Sequence, residues 1–216
     1  MIQELGKENS IFNQFVAEIR DAEVQKDRMR FRRNMERIGE IMAYEISKRL
    51  PYVAREVITP LGESQMMLPE ESPILATILR AGLPFHQGFL NYFDGADNAF
   101  ISAYRRSHKG GDFEIEVEYV SCPSIEGRDV ILIDPMVATG SSMECVYKSL
   151  RAFGTPRHVH IASAIASVQG VNYLRKQLSG NVTIWAGAID DELTAQAYIV
   201  PGLGDAGDLA FGDKDH

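Results

Sequence analysis

Cysteine is nearly absent: Cys122 and Cys145 are the only two in 216 residues. Two thiols cannot build a disulfide scaffold or a four-thiolate zinc site. A reducing compartment, the cytoplasm, is therefore the expected location. Basic residues are outnumbered, with 22 Lys and Arg against 30 Asp and Glu, a formal charge of -8 and a pI near 5.2. Such a surface is expected to bind no nucleic acid, which calls for a basic face. A small phosphate-bearing ligand stays open, because backbone N–H groups hold phosphate locally. No apolar run approaches the roughly 18 residues of a membrane span. Met1 to Lys7 carries charge and no apolar stretch, so no secretory signal is expected. No Gly-Lys-Ser or Gly-Lys-Thr occurs, which removes the P-loop hydrolases. His86, His158 and His160 are scattered along the chain and read as structural.

What is present suits a globular chain: 45% hydrophobic and 24% charged residues, without repeats. The length predicts one domain over 1–216, with a helical arm over 1–50, a core over 51–189 and a tail over 190–216. Phe31, Met35, Ile38, Met42 and Ile46 form a helical stripe that Asp27 would cap and Pro51 would close. Residues 52–72 suggest a hairpin around Gly62. Further on, apolar runs at Pro73–Leu79, Ala99–Tyr104, Val130–Ile133, Val159–Ala166 and Thr183–Ile189 read as strands. Helical patterns at Leu83–Phe93, Ser142–Phe153 and Val168–Leu178 fall between them, and Phe113–Val120 alternates like an exposed ribbon. Strands alternating with helices predict an α/β fold with a parallel sheet. Ligands of such sheets sit beyond the carboxyl ends of the strands.

Three loops leave those ends: Arg80-Ala81-Gly82, Tyr104-Arg105-Arg106, and Asp134 to Ser142. The strand Val130–Ile133 runs into Asp134, and Thr139, Gly140, Ser141 and Ser142 follow at a helix entrance. Unpaired N–H groups and the positive helix end there attract an anion, hydroxyls add donors, and the acid accepts from sugar hydroxyls. A plain turn with an N-cap is the rival reading of the same residues. A second feature is Tyr198 to Asp208, where Gly202, Gly204 and Gly207 match G-x-G-x-x-G. A dinucleotide fold needs a helix and a ribose-binding acid about 20 residues later, and only nine residues follow Gly207. The glycines instead let backbone approach a flat ligand closely.

Together these segments resemble the uracil phosphoribosyltransferases. Asp134-Pro135-Met136-Val137-Ala138-Thr139-Gly140-Ser141-Ser142 is similar to the family's D-P-M-L-A-T-G-G-S loop, with Ser141 in place of a glycine. Tyr198 to Asp208 resembles the family's Y-I-V-P-G-L-G-D-A-G-D tail. Pro73 to Leu83 resembles P-I-L-R-A-G-L, with Ala76-Thr77-Ile78 ahead of Leu79-Arg80-Ala81-Gly82. Tyr104-Arg105 resembles its Y-R segment. The four motifs occur in the family's order, over roughly residues 28 to 213.

The resemblance implies a type I phosphoribosyltransferase core with an N-terminal helical arm and a β-ribbon or flexible loop near residues 106–120. It implies transfer of the phosphoribosyl group of 5-phosphoribosyl 1-pyrophosphate (PRPP) to uracil, giving UMP and pyrophosphate. By the same resemblance, Asp134 to Ser142 would hold ribose 5-phosphate, and Arg80 and Arg105 would meet pyrophosphate. Ile199, Gly204 and Ala206 would hold uracil, and Asp205 would lie between base and ribose. Asp134, Asp205 and Arg105 are the implied catalytic residues. Mg²⁺ is the implied cofactor, held by PRPP and water and not by the protein directly. Arg106, His108 and Lys109 stand where the family often continues with Asn-Glu, and could also reach pyrophosphate. A homodimer or tetramer is implied. The alternatives are a transferase for another base, or a regulator that senses PRPP or nucleotide.

Overall fold

The computed structural model describes residues 1–107, 113–178 and 180–213. A short strand, β1 (Ile2–Glu4), precedes two helices, α1 (Ile11–Arg20) and α2 (Arg28–Ser47). Asp27 caps α2 as expected, accepting from the N–H groups of Met29 and Arg30. All five residues of its predicted stripe are buried. The hairpin around Gly62 is present as β2 (Tyr52–Thr59) and β3 (Gly62–Pro69), an antiparallel pair separate from the main sheet.

The core follows as β4 (Ile74–Leu79), α3 (Gly82–Leu90), β5 (Asn98–Ser107), β6 (Phe113–Ser121), β7 (Asp129–Ile133), β8 (Met136–Val137), α4 (Ser141–Leu150), β9 (His158–Ser167), α5 (Val168–Gln177) and β10 (Val182–Asp190). Two more strands, β11 (Glu192–Leu193) and β12 (Ile199–Val200), lead to α6 (Ala206–Phe211). The main sheet has the order β1-β10-β9-β7-β4-β5-β6, with β8 alongside β9. Every pairing in it is parallel except β5 with β6. The α/β expectation therefore holds, and the predicted ribbon is the antiparallel partner of β5.

Strand β7 shows why its sequence is apolar throughout. Successive side chains alternate faces, so Ile131 and Ile133 join a core with α1, α2, α3 and α6. Val130 and Leu132 join a second core with α4 and α5 on the other face. A strand covered on both sides has no solvent face to spend on polar residues.

His160 on β9 is buried, and the Trp185 indole donates to its Nδ1 at 3.1 Å, so that nitrogen is unprotonated. Burial, with His158 as a smaller influence, pushes the His160 imidazole down to about 3. The unfolded chain would take up that proton near pH 6.5. Between those values the unfolded state binds more protons, so stability falls as pH falls from 6.5 towards 3 and is flat above. Burial also lowers His86 and His158, which add to the same window. Glu18, lowered to about 2 by Arg30 and Asn34, gives its full stabilisation above the ordinary carboxylate range and loses it only as pH falls from there towards 2. Urea unfolding from pH 7 to 5 should thus show midpoints falling with pH. His160→Asn, which keeps an acceptor for Trp185, should reduce the slope by up to about 1.4 kcal/mol per pH unit. An unchanged slope would refute the buried neutral imidazole.

Candidate active site

The connections after β4 and β7 place the site. From β4 the chain passes through α3 to β5 on one side; from β7 it passes through α4 to β9 on the other. The two connections leave these paired strands in opposite directions, which opens a crevice at their carboxyl ends. A cavity of about 530 Å³ lies there, within the range of small-molecule sites. Its wall combines Arg80 and Ala81 after β4, Asp134 to Gly140 and Ser142 after β7, and Gly204 to Gly207 from the tail. Segments more than fifty positions apart in the chain thus face one space.

The loop after β7 is shaped by its neighbours. Asp134 accepts from the Met136 N–H at 3.3 Å. Gly140 takes a left-handed φ of 85° at the N-cap of α4. From behind, the buried Ser167 hydroxyl donates to the Ala138 carbonyl at 2.6 Å and accepts from the Gly170 N–H at 2.8 Å. The same hydroxyl thereby caps α5 and anchors the loop. The first-turn N–H groups of α4 lack intrahelical partners by geometry, so this corner suits a phosphate. Ser141 is absent from the cavity wall; its hydroxyl sits 2.7 Å from that of Thr139, which does line the cavity. The family's glycine position is therefore filled by a side chain that orients a neighbour.

In the tail, Asp205 caps α6 by accepting from Gly207 and Asp208 at 2.8 and 3.0 Å. Gly204 and Ala206 reach the cavity, whereas Ile199 is buried in the core beneath it. Arg80 lines the cavity and also donates to Asp208 at 3.2 Å and to the Gly212 carbonyl at 3.3 Å. Arg105 is on β5, in register with Ile115, and its side chain lies outside the described residues. Arg106 is also on β5, while His108 and Lys109 lie outside the described residues.

Wall residues not anticipated from sequence include Gln196 and Ala197, at the tip of the β11–β12 hairpin beside Tyr198, and Met143 on α4. Ala197 has a φ of 63°, and its N–H donates to the Thr194 carbonyl. The Glu-Leu and Ile-Val pairs that form that hairpin, joined by Thr194 to Tyr198, offer no sequence signal for it. Asp134 and Asp205 are carboxylates on the wall; among the described residues no group of three or more His, Cys, Asp or Glu could hold a metal ion. No helix among the described residues is long and apolar enough to cross a membrane.

Known proteins resemble this chain in sequence and in fold. The sequence model of the family described as uracil phosphoribosyltransferase matches residues 7–213. The uracil phosphoribosyltransferase of Porphyromonas gingivalis is 57% identical over 210 residues, covering 97% of either chain. That of Pyrococcus furiosus is 34% identical over 203 residues, covering 93% of this chain and 85% of its own. Among solved structures, the AQ2163 protein from Aquifex aeolicus superposes with a TM-score of 0.87 at 29% identity, covering 98% of each chain. A hypoxanthine phosphoribosyltransferase from Staphylococcus aureus shares the fold alone, with a TM-score of 0.50 at 13% identity over 74% of each chain.

Proposed function

The chain belongs to the uracil phosphoribosyltransferase family, and from that premise we infer that it converts uracil and PRPP to UMP and pyrophosphate. One observation carries the reading to specific residues: the anion-suited loop from Asp134 to Ser142 and the glycine-rich tail meet across a single cavity. Residues Ala138 to Ser142 cradle the 5-phosphate, and Asp134 accepts from ribose hydroxyls. Gly204 and Ala206 hold the base through their backbone, on the side where Asp205 reaches towards the ribose. Ile199 supports this tail with its buried side chain and is assigned to the base through its backbone.

In the reaction a bond forms between the base nitrogen and the anomeric carbon, the bond from that carbon to pyrophosphate breaks, and the nitrogen releases its proton. Positive charge grows on the ribose ring, and the carboxylates of Asp134 and Asp205 on the wall stabilise it. Negative charge grows on pyrophosphate, which the Arg80 fork is suited to receive; Arg105 is assigned the same role. The two wall carboxylates suit Mg²⁺, a hard ion that keeps waters and substrate oxygens. When bound with PRPP, that ion neutralises charge on the leaving group.

Turnover of labelled uracil with PRPP and Mg²⁺ tests the reading. UMP and pyrophosphate should appear in equal amounts, and a wild-type protein that forms neither while still binding PRPP would overturn it.

The protein acts as a homodimer in this reading. The β2–β3 ribbon stands apart from the main sheet, with Ile58, Met66 and Met67 exposed and Leu61 fully exposed. An isolated two-stranded ribbon is marginal in water unless its apolar side chains are covered, and a second copy is the cover we assign. Light scattering should give a dimer for the wild type and a monomer for Ile58→Asp/Leu61→Asp; a dimeric variant would exclude the ribbon. The cytoplasm is the assigned location, since Cys122 is a thiol.

A further inference from the structure

Arg20 ends α1 in the N-terminal arm, far in sequence from the tail. Its guanidinium grips Asp190, the last residue of β10, through two parallel bonds: Nη1 to Oδ2 and Nη2 to Oδ1, both 2.8 Å. The pair is not merely a brace between α1 and β10. Nη1 also donates to the Gly202 carbonyl at 3.1 Å, and the Gly202 N–H donates to Asp190 Oδ2 at 2.8 Å. Both backbone polar groups of Gly202 are thus held by one ion pair. Asp190 is buried and Arg20 is about four-fifths covered. Gly202 has a left-handed φ of 55°, and a Cβ there would stand 2.1 Å from the Ile199 carbonyl, so this backbone has little freedom. Two residues later, Gly204 and Asp205 enter the cavity wall.

We propose that Arg20 is a positioning residue for base recognition: with Asp190 it fixes Gly202, and through Gly202 it sets where Gly204, Asp205 and Ala206 stand against the base. The inference rests on the reading of the tail as the base site. The phosphate loop is anchored separately, by Ser167, so the two halves of the substrate should respond differently. A bidentate fork supplies three directed bonds here that a lysine cannot reproduce. Misplacing a substrate-positioning segment by about 1 Å can cost about 100-fold in rate.

The test measures KM for uracil and for PRPP separately. Arg20→Ala should raise KM for uracil at least about tenfold while KM for PRPP stays within about twofold. Arg20→Lys should fall between Ala and wild type. Arg30→Ala is the control: it breaks the Arg30–Glu18 pair between α1 and α2 without touching the tail, and both KM values should hold. Amide exchange gives a second readout, with the 202–206 segment exchanging faster in Arg20→Ala and Arg20→Lys and not in Arg30→Ala. If Arg20→Ala does not fold, Arg20→Lys decides by the same two readouts. A parallel rise of both KM values, or an unchanged KM for uracil in an active protein, overturns the positioning role alone. A wild type that forms no UMP overturns the function reading beneath it.

Discussion

Asp205→Asn is expected to lower kcat for UMP formation by about 100- to 1,000-fold, the usual loss when a fixed charge facing the transition state is removed. The substitution separates two jobs. Asparagine caps a helix about as well as aspartate, so the Gly207 and Asp208 N–H groups keep an acceptor and α6 stays formed. Only the negative charge opposite the ribose is lost. KM for PRPP and the melting temperature should stay close to wild type. Asp205→Ala removes the cap as well, and should lose about 1 kcal/mol of stability in addition. Steady-state kinetics beside thermal melts distinguish the two variants. An Asn variant with wild-type kcat would remove Asp205 from the chemistry.

The second large effect belongs to Gly140. An alanine at its φ of 85° meets the steric cost of the left-handed region, roughly 1–2 kcal/mol. The new Cβ would also stand 3.0 Å from the Gly170 carbonyl, 3.0 Å from Tyr173 Cδ1 and 3.1 Å from Leu174 Cγ, all on α5. Helix α5 is tied to the loop by Ser167, so relief comes by pushing the loop into the cavity. Gly140→Ala should raise KM for PRPP about 100-fold, the scale of a misplacement near 1 Å. Gly127→Ala is the matched control, since its φ is 69° and a Cβ there meets nothing within 4 Å. It carries the same backbone strain and should keep wild-type KM. Equal behaviour of the two variants would show that the contact with α5 does not shape the loop.

The loop that holds Gly140 was legible in the sequence because its features are local, whereas the role of Asp205 came from the resemblance of Tyr198–Asp208 to the family's tail. A buried strand ending on Asp134, with a glycine and hydroxyls at the next helix entrance, needs only neighbours along the chain. The α2 stripe was legible for the same reason: Phe31, Met35, Ile38, Met42 and Ile46 repeat at helical spacing and all reach the core. Helix α1 offers a similar signal that the expectation of a helix beginning at Asp27 passed over. Ser10 caps it, and Phe12, Val16 and Ile19 are buried. The Gln196–Tyr198 tip was hidden because two strands of two residues each carry no periodicity. The Arg80–Asp208 contact and the Arg20–Asp190–Gly202 group were hidden for another reason. Arg80 and Arg20 are ordinary polar residues along the chain, and 128 to 182 positions separate them from these partners. Only the folded sheet brings them together.

The short strand β1 seals one edge of the main sheet. Ile2, Gln3 and Glu4 pair in parallel with Ile184, Trp185 and Ala186. β10 is the outermost long strand on that side, and without β1 its N–H and C=O groups would form an open edge. An open edge is a template on which another chain can add a strand. Three residues therefore serve as a lid against self-association through the wrong surface. Shortening the chain by a handful of N-terminal residues would leave the cavity untouched while turning the sheet into a seed for aggregates.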